Sequence, residues 1–305
     1  MKRLSTFGGL VALMSALTGC ATVTVYQPPI SKFQSAVNSA DSGIRTYLLS
    51  VNDIVAERHL YAKATNPTNP WTLNDLTDGG ISSQAIQARL QALDTVAAYA
   101  NALNALAQSK DLSNLQQAAR VLGTNANNLD YTLSKMSGDK NPINIQAPVT
   151  QIVTLVGTLL VEKAQKDAVE KGISNGATNV DTIISELTID LPKFSALVSV
   201  NEEGILVHKL DLYNQIKTTA KPQDMDSLIS QLVTDYHNIR TLQTSDVGPM
   251  LTDMGNAHKA LVVFAASDKT PKDLADLSSQ IDVFTSHVEL FNNVISSVVQ
   301  VNTSK

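Results

Sequence analysis

Apolar residues recur along most of this chain at steps of three and four, the period of an amphipathic α-helix. From Phe33 they continue through Val37, Ala40, Ile44, Tyr47, Val51 and Ile54, one stripe over about six turns. Ser31, with Gln34 three residues on, has the spacing of a capping box and predicts where that helix starts. The pattern fades near Tyr61, and Asn66-Pro67-Thr68-Asn69-Pro70 breaks it before a polar loop to Gly79-Gly80. Trp71 lies in this loop, either as a plug over a bundle end or as a membrane-interface or ligand contact.

Ser82 or Ser83 caps a second helix with the stripe Ile86, Leu90, Leu93, Ala97, Ala100, Leu103 and Ala107. Its alanines would let a neighbouring helix approach closely. After a break at Ser109-Lys110, Asp111 caps a third helix carrying Leu115, Ala119, Leu122, Ala126, Leu129, Leu133 and Met136, and Gly138 ends it. The short connection predicts an antiparallel hairpin. Pro148 suits the first turn of the next helix. Val149, Ile152, Val156, Leu159 and Leu160 share one face of it, and Thr150, Gln151, Thr154 and Thr158 the other.

Lys171-Gly172 and Asn175-Gly176 read as a turn or kink, with a helix from about Thr178 carrying Val180, Ile184, Leu187, Leu191, Phe194 and Val198. Pro192 should kink it. Glu202-Glu203-Gly204 is a candidate interruption before Ile205, Leu206, Leu210, Tyr213 and Ile216. Lys221-Pro222 is a stop, with Asp224 or Asp226 as the next cap ahead of Leu228, Leu232, Val233, Tyr236, Ile239 and Leu242. Asp246-Val247-Gly248-Pro249 separates these from Met250, Met254, Ala257, Leu261 and Phe264. Thr270-Pro271-Lys272-Asp273 combines an N-cap, a first-position proline and an acidic third position, a strong helix start. From Leu274 through Leu277, Ile281, Phe284, Val288, Phe291, Ile295 and Val298 the steps alternate three and four, a heptad seam for left-handed packing inside the bundle or against a partner.

These elements predict an all-α fold: an elongated bundle of roughly seven to nine long amphipathic helices over 31–305, without significant sheet. It forms one unit, or two sub-bundles over 31–147 and 148–305. Only Thr22 to Tyr26 has any strand character.

The N-terminus follows a different pattern. Lys2 and Arg3 precede an uncharged apolar run to Leu17, too short for a spanning helix, which needs about 20 apolar residues. The run closes on Leu17-Thr18-Gly19-Cys20, which resembles the lipobox of bacterial lipoproteins over the first 20 residues. The resemblance implies a signal peptide over 1–19, recognition by the signal peptidase through Leu17, Thr18 and Gly19, and a diacylglycerol thioether on Cys20 followed by acylation of the new amine. Ala21, where many such proteins carry an inner-membrane retention Asp, implies the outer membrane, with the body facing the periplasm or the surface. Each buried methylene contributes about 0.8 kcal/mol, so two or three acyl chains give lasting attachment. Residues 20–30 then form a tether whose Pro28-Pro29 stiffens its end and forbids helix.

Cleavage before Cys20 removes Lys2 and Arg3 and carries the formal charge from −5 to −7. That balance, with no Lys/Arg cluster, argues against nucleic acid. Charged residues make up 17% of the chain against a usual ~25%. Cys20 is the only cysteine, so stability must come from packing.

The five histidines, His59, His208, His237, His258 and His287, make no zinc-protease pair, and no Glu has a His three residues later. Phosphate loops, calcium loops and nucleophile elbows are missing from the sequence as well. Most of the histidines are therefore expected on solvated or partly buried faces, without metal or cofactor. The chain reads as a non-enzyme: a lipid-anchored helical scaffold whose faces hold a protein partner or a second copy. A membrane-active helical protein inserting Pro148 to Val161 is the alternative, and an enzyme of undescribed type the third.

Overall fold

The computed structural model describes residues 18–64, 72, 81–108, 112–135, 143–162 and 167–303. Among them are nine helices: α1 (Thr18–Ala64), α2 (Ser83–Gln108), α3 (Leu112–Lys135), α4 (Gln146–Glu162), α5 (Ala168–Asp190), α6 (Pro192–Ile216), α7 (Pro222–Thr244), α8 (Val247–Ala266) and α9 (Pro271–Thr303). The described residues contain no strand, and the fold is all-α. Leu17, the apolar run before it, the Asn66 to Pro70 break, Trp71, Asp111, Met136 and Gly138 lie outside the described residues.

Side-chain pairs fix the directions of the helices. Gln34 meets Asn101 and Arg45 meets Asp94, so α1 and α2 are antiparallel. Lys32 pairs with Asp282 and Asn292 reaches Ser39, pairs that advance together, so α1 and α9 are parallel. Arg89 pairs with Asp190 while Tyr99 faces Gly172, which makes α2 and α5 antiparallel. α3 and α4 close one flank, α8 lies between α5 and α9, and the α6–α7 hairpin packs on the C-terminal half of α1. One core runs through the described residues from Tyr26 to Val298. At 1.5 Å per residue the 47 residues of α1 extend about 70 Å, which makes the bundle elongated.

The predicted stripes are largely buried. On α9, Leu277, Ile281, Phe284, Val288, Phe291, Ile295 and Val298 all face the core, so the heptad seam is internal. Its start is a reciprocal capping box: Thr270 N–H donates to Asp273 Oδ2 at 2.9 Å and Asp273 N–H to Thr270 Oγ1 at 3.2 Å. Ser82 Oγ accepts from Ala85 N–H at 3.1 Å and caps α2. Asp246 accepts from Gly248 N–H at 2.8 Å and caps α8. The α5 stripe runs on to Pro192, which becomes the first residue of α6 as Leu191 takes the junction.

Several local signals read from the sequence do not hold in the fold. Residues 20–30 are helical, not a tether, and Thr22 to Tyr26 is helix, not strand. Pro28 and Pro29 donate nothing to the helical ladder, yet α1 passes through them. Around them Tyr26 and Ile30 are buried, Tyr26 Oη donates to Glu170 Oε1 at 3.0 Å, and Gln27 Nε2 donates to the Ala107 carbonyl at 3.0 Å. Ser31 is therefore no helix start, and Gln34 turns to Asn101. Gly172 and Gly176 lie inside α5, where their missing side chains admit Leu103 and Tyr99 of α2. Glu202-Glu203-Gly204 is continuous helix, with Arg58 against Gly204. Finally, Leu210, Val233 and Tyr236 belong to the predicted stripes but are exposed.

Candidate functional site

Thr18, Gly19 and Cys20 lie at the start of α1, and the same helix carries the buried Tyr26. Tyr26 follows Cys20 by six helical steps, about 9 Å along the axis. A lipid on Cys20 would thus connect to the core through helix.

Polar groups inside the bundle join α2, α5 and α8. His59, His208 and His287 are partly buried and His237 is exposed, whereas His258 is fully buried. Its position explains this: it falls in the apolar stripe of α8, four residues after Met254 and three before Leu261. His258 Nδ1 donates to Asp181 Oδ1 at 2.8 Å, and Nε2 lies 3.4 Å from the Tyr99 hydroxyl. That hydroxyl lies 3.4 Å from the Gly172 carbonyl. Burial, with the charge of Asp181, pushes the Tyr99 phenol far up. The arrangement is closed to solvent at the imidazole and clamps three helices. Nearby, Arg89 grips Asp190 with two hydrogen bonds, Nε at 2.5 Å and Nη2 at 3.0 Å, and its guanidinium lies 5.0 Å from the Phe194 ring centre.

At the other end of α1, a cavity of about 280 Å³ opens between α1, α6, α7 and α9. Lys209 is buried there between Glu57, at 2.8 Å, and Asp235. Burial alone would lower its pKa, but hydrogen bonds to both carboxylates and their charge outweigh that and raise it. The two carboxylates thus favour the protonated amine. Tyr61 donates to Glu57 at 2.8 Å and stacks on His208 with ring centres 4.4 Å apart. Burial, reinforced by Glu57, pushes the Tyr61 phenol up to about 12. His287 pairs with Asp253, and His237 is exposed. Among the described residues no group of three or more His, Cys, Asp or Glu is arranged to hold a metal ion.

The α6–α7 hairpin carries the most unusual surface. Val200, Val207 and Leu210 follow each other on α6 at steps of seven and three, and Val200 is 77% exposed. On α7, Ile229, Val233 and Tyr236 are spaced four and three and also face solvent. Each set forms a ridge of the kind helices use to pack on helices.

Pro148 to Val161 falls in α4, whose Val149, Ile152, Val156 and Leu159 are buried. Thr150, Thr154 and Thr158 are exposed, and each hydroxyl donates to the carbonyl four residues back at 3.0 Å. Among the described residues no helix is long and apolar enough to cross a membrane. No family model, no curated protein and no solved structure matches this chain.

Proposed function

We propose that this chain is a lipid-anchored scaffold of the bacterial cell envelope, held in the outer membrane by acylated Cys20 and binding a protein partner along the α6–α7 hairpin. The observation that carries the reading is the pair of exposed apolar ridges, Val200–Val207–Leu210 and Ile229–Val233–Tyr236. Their helical spacing fits an amphipathic helix of the partner laid against the hairpin. The lipobox-like Leu17-Thr18-Gly19-Cys20 supports the address.

Two measurements test this. The mass of the mature N-terminal peptide should show acyl chains on Cys20, and Cys20→Ala should release the protein from the membrane fraction. A photo-crosslinker at residue 200 or 233 should capture one discrete second protein, and Val200→Asp with Val233→Asp should abolish capture while leaving the melting temperature unchanged. An unmodified Cys20 would sink the anchor. Capture of nothing, or only of a second copy, would sink the partner.

A further inference from the structure

A cleft of about 300 Å³ lies between α1, α2 and α3. Six carboxamides line it: Gln34 of α1, Asn101, Asn104 and Gln108 of α2, and Asn114 and Gln117 of α3. The remaining lining is three alanines and one valine, and no lining residue carries a charge. Asn101, Asn104 and Gln108 follow the i, i+3, i+7 spacing of one helix face, and Asn114 and Gln117 are also three apart. Two amide stripes thus face each other along a hairpin seam where apolar ridges would ordinarily interlock.

The hydrogen bonds already made define what the cleft still offers. Asn101 Oδ1 accepts from Gln34 Nε2 at 2.7 Å and from Asn38 Nδ2 at 3.2 Å, which fixes the Asn101 amide and leaves its NH₂ as donor. Asn104 Nδ2 donates to Gln34 Oε1 at 3.5 Å. Asn104 Oδ1 is buried and has no hydrogen-bond partner among the described residues. The Asn101 NH₂ is therefore the donor that α2 offers to the cleft, and Asn104 Oδ1, one turn along the same face but closed to solvent, becomes an acceptor for a ligand only by rotation of its side chain.

A charged ligand would lose its hydration here and meet no countercharge. A hydrocarbon would leave the amides unpaired. A peptide needs an extended groove with side-chain pockets, and the apolar lining of this cleft is three alanines and one valine. A hydroxyl is uncharged and both donates and accepts at one atom, and a carboxamide can span two neighbouring hydroxyls. The volume lies at the small end of the ~300–1,000 Å³ range of ligand sites. We propose that this cleft binds a neutral saccharide, one or two rings in size, through its hydroxyls.

The full chain, purified in detergent, is titrated calorimetrically with neutral mono- and disaccharides, an acidic monosaccharide and a neutral tetrapeptide, and is tested for sedimentation with insoluble envelope glycan. Saturable binding of a neutral mono- or disaccharide is expected, with no response to the acidic sugar or the peptide. Co-sedimentation that a soluble sugar competes away assigns the source to the glycan, and soluble binding without co-sedimentation assigns it to a free sugar. Gln117→Ala, on the exposed face of α3, should weaken binding by about three- to tenfold, the effect of one uncharged hydrogen bond, with unchanged melting. Asn104→Leu should weaken it at least as much. No saturation by any neutral sugar, binding of the peptide instead, or an affinity in both variants equal to that of the unsubstituted chain would overturn the proposal.

Discussion

Gly176 of α5 and Tyr99 of α2 meet so closely that a methyl group on residue 176 would lie 2.6 Å from Cε2 of the tyrosine ring. The ring has no room to retreat. Tyr99 is fully buried, and its ring packs edge-on against His258 with centres 5.7 Å apart.

Gly176→Ala is therefore expected to destabilise the bundle by about 1–3 kcal/mol, although alanine is the better helix former by about 1 kcal/mol. Gly123→Ala and Gly157→Ala give the opposite sign. Neither position has a heavy atom within 4 Å of the added Cβ among the described residues, so only the helix propensity acts, and each gains up to about 1 kcal/mol. Urea unfolding of the three variants measures both effects.

The Arg89–Asp190 pair tests the buried polar clamps. Its side chains are 3% and 10% exposed. Arg89→Ala strands a buried carboxylate, for which the cost is about 3–5 kcal/mol; Lys193, at 3.7 Å from Asp190, holds it toward the lower end. Arg89→Met with Asp190→Leu should recover most of that loss, because two apolar side chains need no partner. A double-mutant cycle by chemical denaturation separates pairing from packing.

Asp41 predicts the pH dependence. Burial pushes its carboxyl up from 3.8 to about 6, against the lowering effect of Arg45 and with help from Asp94. Its Oδ1 is 3.6 Å from Arg45 Nη2, beyond hydrogen-bond reach, and is buried without a hydrogen-bond partner among the described residues. The folded state binds the proton more tightly than the unfolded one. Between about pH 4 and pH 6 stability therefore falls as pH rises, and the loss is complete above the folded value. Asp41→Asn should gain about 1–3 kcal/mol at pH 7 and nothing below pH 4, since Arg45 keeps Asp94 at 2.7 Å. Melting temperatures of both proteins from pH 4 to pH 8 check the sign. Burial raises Asp94 as well, which deepens the same slope in both proteins.

Period was legible in the chain because it follows from helix geometry alone. The steps from Leu277 to Val298 and the Thr270–Asp273 box needed no knowledge of neighbours. Signals that depend on neighbours were misread. Gly172, Gly176, Pro28 and Pro29 are breakers by local rule, but Leu103 and Tyr99 occupy the space the glycines leave, and Tyr26, Gln27 and Ile30 pin the prolines into helix. His258 and Arg89 fall within apolar stripes, a position that marks a buried polar group, and only the packing of α5 supplies Asp181 and Asp190. Val233 and Tyr236 keep the period of a core face, yet nothing along the chain reveals that their ridge lacks a cover. The amide cleft needed the register of α2 against α3, which no single helix encodes.

The unbroken run of α1 through Pro28 and Pro29 has a mechanical consequence. Cys20 and Glu57, which holds Lys209 of the α6–α7 hairpin, are 37 residues apart on one helix, about 55 Å. A slack leash of that many residues would let the body swing and lie down. A stiff strut buttressed by α9 alongside sets a stand-off instead, so on the proposed anchoring any partner docked at the hairpin is carried at a preset reach from the acyl chains.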